Sequence, residues 1–146
     1  MNSLQINKIL KRHLRQYFRG VHASDAIPKV SPPYPYALVV NTDKTGQPGE
    51  HWQAIWISSS GSAEFFDSFG NAPKGNIKLF MQQFIKLEIN KIKLQENFEI
   101  SCGPYVIYFL INRFRGLSLR KIAINLNRQI YPDTFVKLFI HNLLKL

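Results

Sequence analysis

The sequence predicts an α+β domain in which a central, mainly antiparallel sheet packs against helices. Three observations predict it. The N-terminus carries apolar residues at helical spacing, three short apolar runs between residues 36 and 67 are separated by turn residues, and the apolar run at 106–111 follows a Cys-Gly-Pro start. A length of 146 residues fits one compact domain spanning 1–146, and a hydrophobic fraction of 45% supplies a sizeable core and argues against disorder.

In order, Leu4, Ile6, Ile9, Leu10, Leu14 and Phe18 recur at helical spacing, with basic residues on the other positions. This is an amphipathic helix from near Ser3, stopped by Gly20. Its apolar stripe suits packing on its own core, although such a stripe also serves membrane surfaces and partner helices. Pro28, Pro32, Pro33 and Pro35 then disfavour helix and predict an ordered extended loop. Residues 36–41 read as a buried strand, 42–50 as turn chemistry, 51–58 as a second strand, and 63–67 as a third after a Ser-Gly turn. Residues 77–87 have helical periodicity, 91–96 read as a short strand, and Cys102 leads into a helix ending near Gly116. Two further helices are expected over 118–126 and 134–144.

The formal net charge is +10. It is concentrated in two blocks without acids: Lys8, Lys11, Arg12, Arg15 and Arg19 before Asp25, and Arg113, Arg115, Arg120, Lys121 and Arg128 between Glu99 and Asp133. Such blocks form either a solvated face or a surface for polyanions, whose binding weakens as salt rises. No apolar stretch approaches the roughly 18 to 20 residues of a spanning helix, and no signal-peptide core is present at the start. A single cysteine offers no framework of disulfides, so the expectation is a soluble, intracellular protein, cytoplasmic or nuclear, that is not secreted and does not engage a membrane.

That cysteine, Cys102, can make neither an internal disulfide nor a multi-cysteine metal site, so any chemistry it performs is that of a nucleophile or redox thiol. Placed at the start of a buried helix, it meets unpaired amides and the positive end of the helix dipole, which favour thiolate. Gly103 would let a substrate approach closely, and Pro104 suits the first helical turn. Read alone, Cys102 is equally at home as a small buried hydrophobe. His51 would open one strand and Asp67 would close its antiparallel neighbour, which can bring base and carboxylate together. Separately, His51 also reads as a surface histidine and Asp67 as a turn cap helped by Gly70. Gln95, seven residues before Cys102, offers a side-chain amide that could donate to an oxyanion. Trp52 reads as a cleft wall or as core.

The segments Gly49-Glu50-His51-Trp52, Phe66-Asp67-Ser68-Phe69-Gly70 and Gln95 through Cys102-Gly103-Pro104-Tyr105 resemble the motifs of the adenovirus-type, or adenain-like, cysteine endopeptidases. Phe18-Arg19-Gly20-Val21, Asp25, Ile27-Pro28 and Val40-Asn41-Thr42-Asp43 look like members from virophages and self-synthesising DNA transposons. More distant ubiquitin-like-protein proteases share that fold. The resemblance runs from about Phe18 to about Gly116 and makes 49–116 the catalytic segment.

What the resemblance implies is a thiol protease with Cys102 as nucleophile, His51 as general base and acid, Asp67 as orienting acid and Gln95 as oxyanion donor. Trp52 and Gly103 become candidate substrate-binding residues. The implied substrate is a polypeptide with glycine or another small residue before the scissile bond, such as a virion-type structural protein of a virus or transposon; the protease itself would be packaged in virions. The chemistry implies no metal and no cofactor, while DNA or a noncovalent peptide are candidate activators. A disulfide-tethered activator, as in the adenovirus enzymes, would consume the single cysteine of this sequence. Two alternatives are a ubiquitin-like-protein processing protease and a catalytically decayed basic module that binds DNA.

Overall fold

The computed structural model describes residues 1–47, 51–95 and 102–145. The chain begins with helix α1 (Ser3–Leu14), where Asn2 and Gln5 exchange side-chain and backbone hydrogen bonds in a capping box. Strands β1 (Phe18–Ala23) and β2 (Tyr36–Asn41) follow, then the hairpin of β3 (Trp52–Ser59) and β4 (Ser62–Phe66). Helix α2 (Gly75–Met81) leads to β5 (Lys86–Ile89), and helices α3 (Cys102–Phe114), α4 (Leu119–Asn127) and α5 (Pro132–Leu144) complete the chain.

Among the described residues the strands form one sheet in the order β1-β2-β3-β4-β5. Its centre is antiparallel, β2 to β3 to β4, and each edge adds a parallel strand, β1 on β2 and β5 on β4. Alternate side chains of β2 and β3 supply two cores, one on each face. On one face Ala37, Val39, Ala54 and Trp56 meet α1, α3, α4 and α5; on the other Leu38, Val40, Ile55 and Ile57 meet α2 and the Pro-rich loop. Helix α3 is buried from Gly103 through Asn112, as its unbroken apolar run requires, and Phe109 stacks on Phe66 at 4.7 Å.

Three expected boundaries are corrected. The N-terminal helix stops at Leu14 instead of near Gly20, because Arg15 adopts φ 54° and turns the chain out of the helical path. After a short 3₁₀ turn over Arg15–Tyr17, Phe18 is taken into the core as the first residue of β1. Residues 77–87 do not form one helix: α2 ends at Met81 and Leu87 lies in β5, opposite Ala63. The alternation of apolar and charged residues from Ile85 to Ile89 is the period-two signal behind that strand. Of the strand expected over 91–96, residues 91–95 are irregular and Glu96 lies outside the described residues. There the Leu94 and Gln95 amides both donate to the Ser68 carbonyl instead of to a ladder.

Parts of both basic blocks serve the fold. Lys11 donates to the Phe18 carbonyl, Arg19 donates to that of Pro33 and lies over the Tyr36 ring, and Arg113 pairs with Glu64. No helix among the described residues is long and apolar enough to cross a membrane.

Candidate active site

His51 stands immediately before β3 and Asp67 immediately after β4, at the same open end of the hairpin. Ala54 pairs with Phe66, so the two strands part just beyond that register and leave room for both side chains. Asp67 is fully buried, a costly position for a carboxylate unless its oxygens are satisfied. They are: Oδ1 accepts from His51 Nε2, and Oδ2 accepts from the Asn71 amide at 3.0 Å. Asn90, also buried, clamps the backbone of Asp67 with a 2.9 Å bond to its amide and a 2.7 Å bond to its carbonyl. Gly70 makes the turn with φ +75°; a Cβ there would lie 2.9 Å from the Ile92 backbone, so glycine lets the 91–92 segment pass.

The His51 ring bridges two partners, Asp67 and Cys102. Since Nε2 is taken by Asp67, Nδ1 is the nitrogen left for the sulfur. Burial by itself pulls the imidazole down, but the hydrogen bonds to Asp67 and Cys102 outweigh it and hold His51 up to about 9. Burial pushes the Cys102 thiol up, and the His51 hydrogen bond together with the Trp52 and Gly103 amides reverses that, leaving it below the ordinary value. The two shifts belong to one coupled pair, and both favour its thiolate–imidazolium form.

Gln95 is buried against Ser68, the residue next to Asp67. The Ser68 hydroxyl donates to Gln95 Oε1 at 2.5 Å, and the Gln95 amide donates to the Ser68 carbonyl at 2.9 Å. This fixes which end of the side-chain amide is acceptor and leaves its NH₂ as the donor end. The Tyr105 hydroxyl, one turn into α3, lies 3.2 Å from the Leu94 carbonyl and 2.7 Å from Asp133, tying this segment to the helix that starts with Cys102.

Of the other sequence candidates, Trp52 does two things: its indole packs against the core below α3, and it lines a cavity of about 310 Å³ with Asn41 and the β2–β3 loop. At Gly103 a Cβ would lie 3.1 Å from Met1 Cβ, so Met1 lies against the side where the side chain is missing. The Gly49-Glu50 half of the first motif lies outside the described residues. Sequence reading missed Ser68, Asn90 and the Trp52 amide, whose roles depend on partners 23 or more residues away or on the backbone. No group of three or more metal-ligating side chains occurs among the described residues.

No family model matches the chain. Over 131 residues it is 30% identical to a cysteine protease of African swine fever virus, covering 80% of this chain and 45% of that protein. The same protein from another isolate of that virus, named a SUMO-1 cysteine protease, is also 30% identical. A protein of Acanthamoeba polyphaga mimivirus named as a thiol protease is 28% identical over 101 residues, 61% of this chain and 33% of that one. Crystal structures of the African swine fever virus protease superpose with TM-scores of 0.61 and 0.64 at 20% identity, covering 84% and 94% of this chain. The fold is that of a viral cysteine protease. The chain spans about half the length of the curated relatives it matches, at 45% of the swine fever virus protein.

Proposed function

We propose that the chain is a cysteine endopeptidase of the adenain-like group, with Cys102 as nucleophile, His51 as proton carrier, Asp67 as orienting carboxylate and Gln95 as oxyanion donor. The observation that supports it is the His51 ring held between Asp67 and Cys102, with the thiol lowered and the imidazole raised. The thiolate attacks the peptide carbonyl, and the Gln95 NH₂ with the Cys102 amide stabilises the oxyanion. Imidazolium His51 gives its proton to the departing amine. Neutral His51 then takes a proton from water, whose oxygen attacks the acyl-cysteine; the product acid leaves and the thiolate and imidazolium are restored.

The substrate proposed is a polypeptide with glycine or a small residue before the scissile bond, a virion-type structural protein, with Trp52 as one wall of the cleft. The protease would act inside cells or in virions, and its exposed basic residues make DNA a candidate activator, as is a noncovalent peptide. A second reading, a ubiquitin-like-protein processing enzyme, is favoured by the African swine fever virus relative named a SUMO-1 cysteine protease. The complete charge relay weighs against a decayed DNA-binding module. Purified chain incubated with SUMO-1 precursor and, in parallel, with glycine-containing structural-protein peptides should cut at least one set, and Cys102→Ala should cut neither. Equal cleavage by Cys102→Ala would sink the proposal, and the set that is cut decides between the two substrates.

A further inference from the structure

Beside the His51–Asp67 pair the surface opens into a cavity of about 350 Å³. Its walls come from three parts of the chain: the β2–β3 loop with Lys44 and Gln47, the segment from Asn71 to the start of α2 with Lys74, and Gln53 on β3. Asp67 is the only acid among the described lining residues, and its oxygens are committed to His51 and the Asn71 amide. Asp25 acts on Lys44 from outside the cavity while its own carboxylate is held by Thr45. Lys74 makes no ion pair with any described residue. Among the described residues the rim is therefore cationic.

The floor has the opposite need. Gln53 is 6% exposed, and its Oε1 is buried with no hydrogen-bond partner. A buried amide oxygen of this kind is an unmet acceptor, which a ligand N–H would satisfy once the Gln53 side chain turns into the cavity it lines. A phosphodiester would bring only acceptor oxygens to that floor and would be repelled by it. An acidic residue in a peptide brings both required groups, a backbone N–H for Gln53 and a carboxylate for the lysines. Since the cavity shares His51 with the reaction centre, a residue seated there lies close to the bond being cut.

Resting on the protease reading above, we propose that this cavity is a specificity subsite for an aspartate or glutamate of the substrate polypeptide, near the scissile bond. The lysines select the carboxylate and Gln53 fixes the peptide backbone beneath it. Its test does not require turnover. The full chain carrying Cys102→Ala is titrated calorimetrically with decapeptides containing Gly-Gly, in which Asp is walked through each position on both sides and compared with Asn. At one position the Asp peptide should bind roughly three- to tenfold more tightly, the range expected for one or two ion pairs near the surface. The preference should shrink with added salt and shrink again in Lys74→Gln, where Lys44 remains, and it should be lost in Lys74→Glu. Lys74 is exposed, so neither variant threatens folding. Equal binding of Asp and Asn peptides at every position, measurable or not, or a preference that survives Lys74→Glu, would overturn the proposal. Retained preference in a wild-type chain that cuts none of these peptides would leave the subsite standing and remove the protease reading instead.

Discussion

Helix α3 is tied to the sheet at both ends, and the two ends use charge in different ways. At its C-terminal end Arg113 grips Glu64 of β4 through Nε at 2.8 Å and Nη2 at 2.9 Å, with its guanidinium 5.2 Å from the Trp56 ring. At its N-terminal end Cys102 meets His51, which is anchored by Asp67 just beyond the same strand. Each contact suits the helix dipole, a cation at the negative end and, at the positive end, a thiol whose ionisation the dipole favours. The Arg113 pair holds no nucleophile and serves packing. The Cys102–His51 pair can pass a proton and take it back, which is the property catalysis needs. A charged contact becomes reactive when its members titrate within reach of working pH and one of them is a nucleophile.

Breaking the two ends should separate function from stability. The largest effect is expected for Cys102→Ala, which should abolish peptide hydrolysis while the circular dichroism spectrum stays native. Gln95→Ala follows, with a loss of about two to three orders of magnitude in kcat, the usual worth of one oxyanion donor. Ser68→Ala should cost less, about tenfold, because it frees the Gln95 amide to rotate without removing it, and Thr at that position should restore part of the loss; steady-state kinetics on the three proteins checks the order.

The pH profile sharpens the contrast further. Activity should fall on the acid side as the thiolate of Cys102 takes a proton, and on the alkaline side as His51 loses its proton at about 9. Asp67→Asn removes the negative charge that holds His51 up, so the alkaline limb should move down toward the ordinary histidine value of about 6.5. A limb that stays in place would mean that Asp67 does not govern the base. The smallest effect on chemistry is expected at the other end of α3. Arg113→Met should cost about 2 kcal/mol of stability, between the values for exposed and buried pairs, and leave the turnover of folded protein intact. Urea unfolding read beside the turnover number tests both halves of that expectation.

Much of this was legible before the fold was known. The hairpin that presents His51 and Asp67 was readable because its apolar runs are short and bounded by turn residues, and α3 because its apolar run is unbroken. The stretch after Leu14 was not, since Leu14 and Phe18 keep helical spacing although Arg15 turns the chain and Phe18 belongs to β1. The strand at 86–89 was read in part as helix, because its period-two alternation runs for only five residues and directly follows the helical periodicity of α2. At the site, side chains with chemistry of their own could be proposed from type and order. Ser68 and Asn90 could not, because they act through partners 27 and 23 residues away, contacts that only the folded sheet creates. Gly103 shows a related limit of sequence: a missing side chain signals a close approach without saying which group approaches, and Met1 lies on that side.

Because the sequence contains one cysteine, its alkylation reports on the candidate nucleophile alone. The rate of reaction with iodoacetamide, followed from acid to alkaline pH in the wild-type chain and in His51→Ala, measures directly whether the resting pair is thiolate and imidazolium. The wild-type rate should reach its plateau well below the ordinary thiol value of about 8.5, and His51→Ala should shift the rise to higher pH. Superimposable profiles, both rising at the ordinary thiol value, would contradict the account.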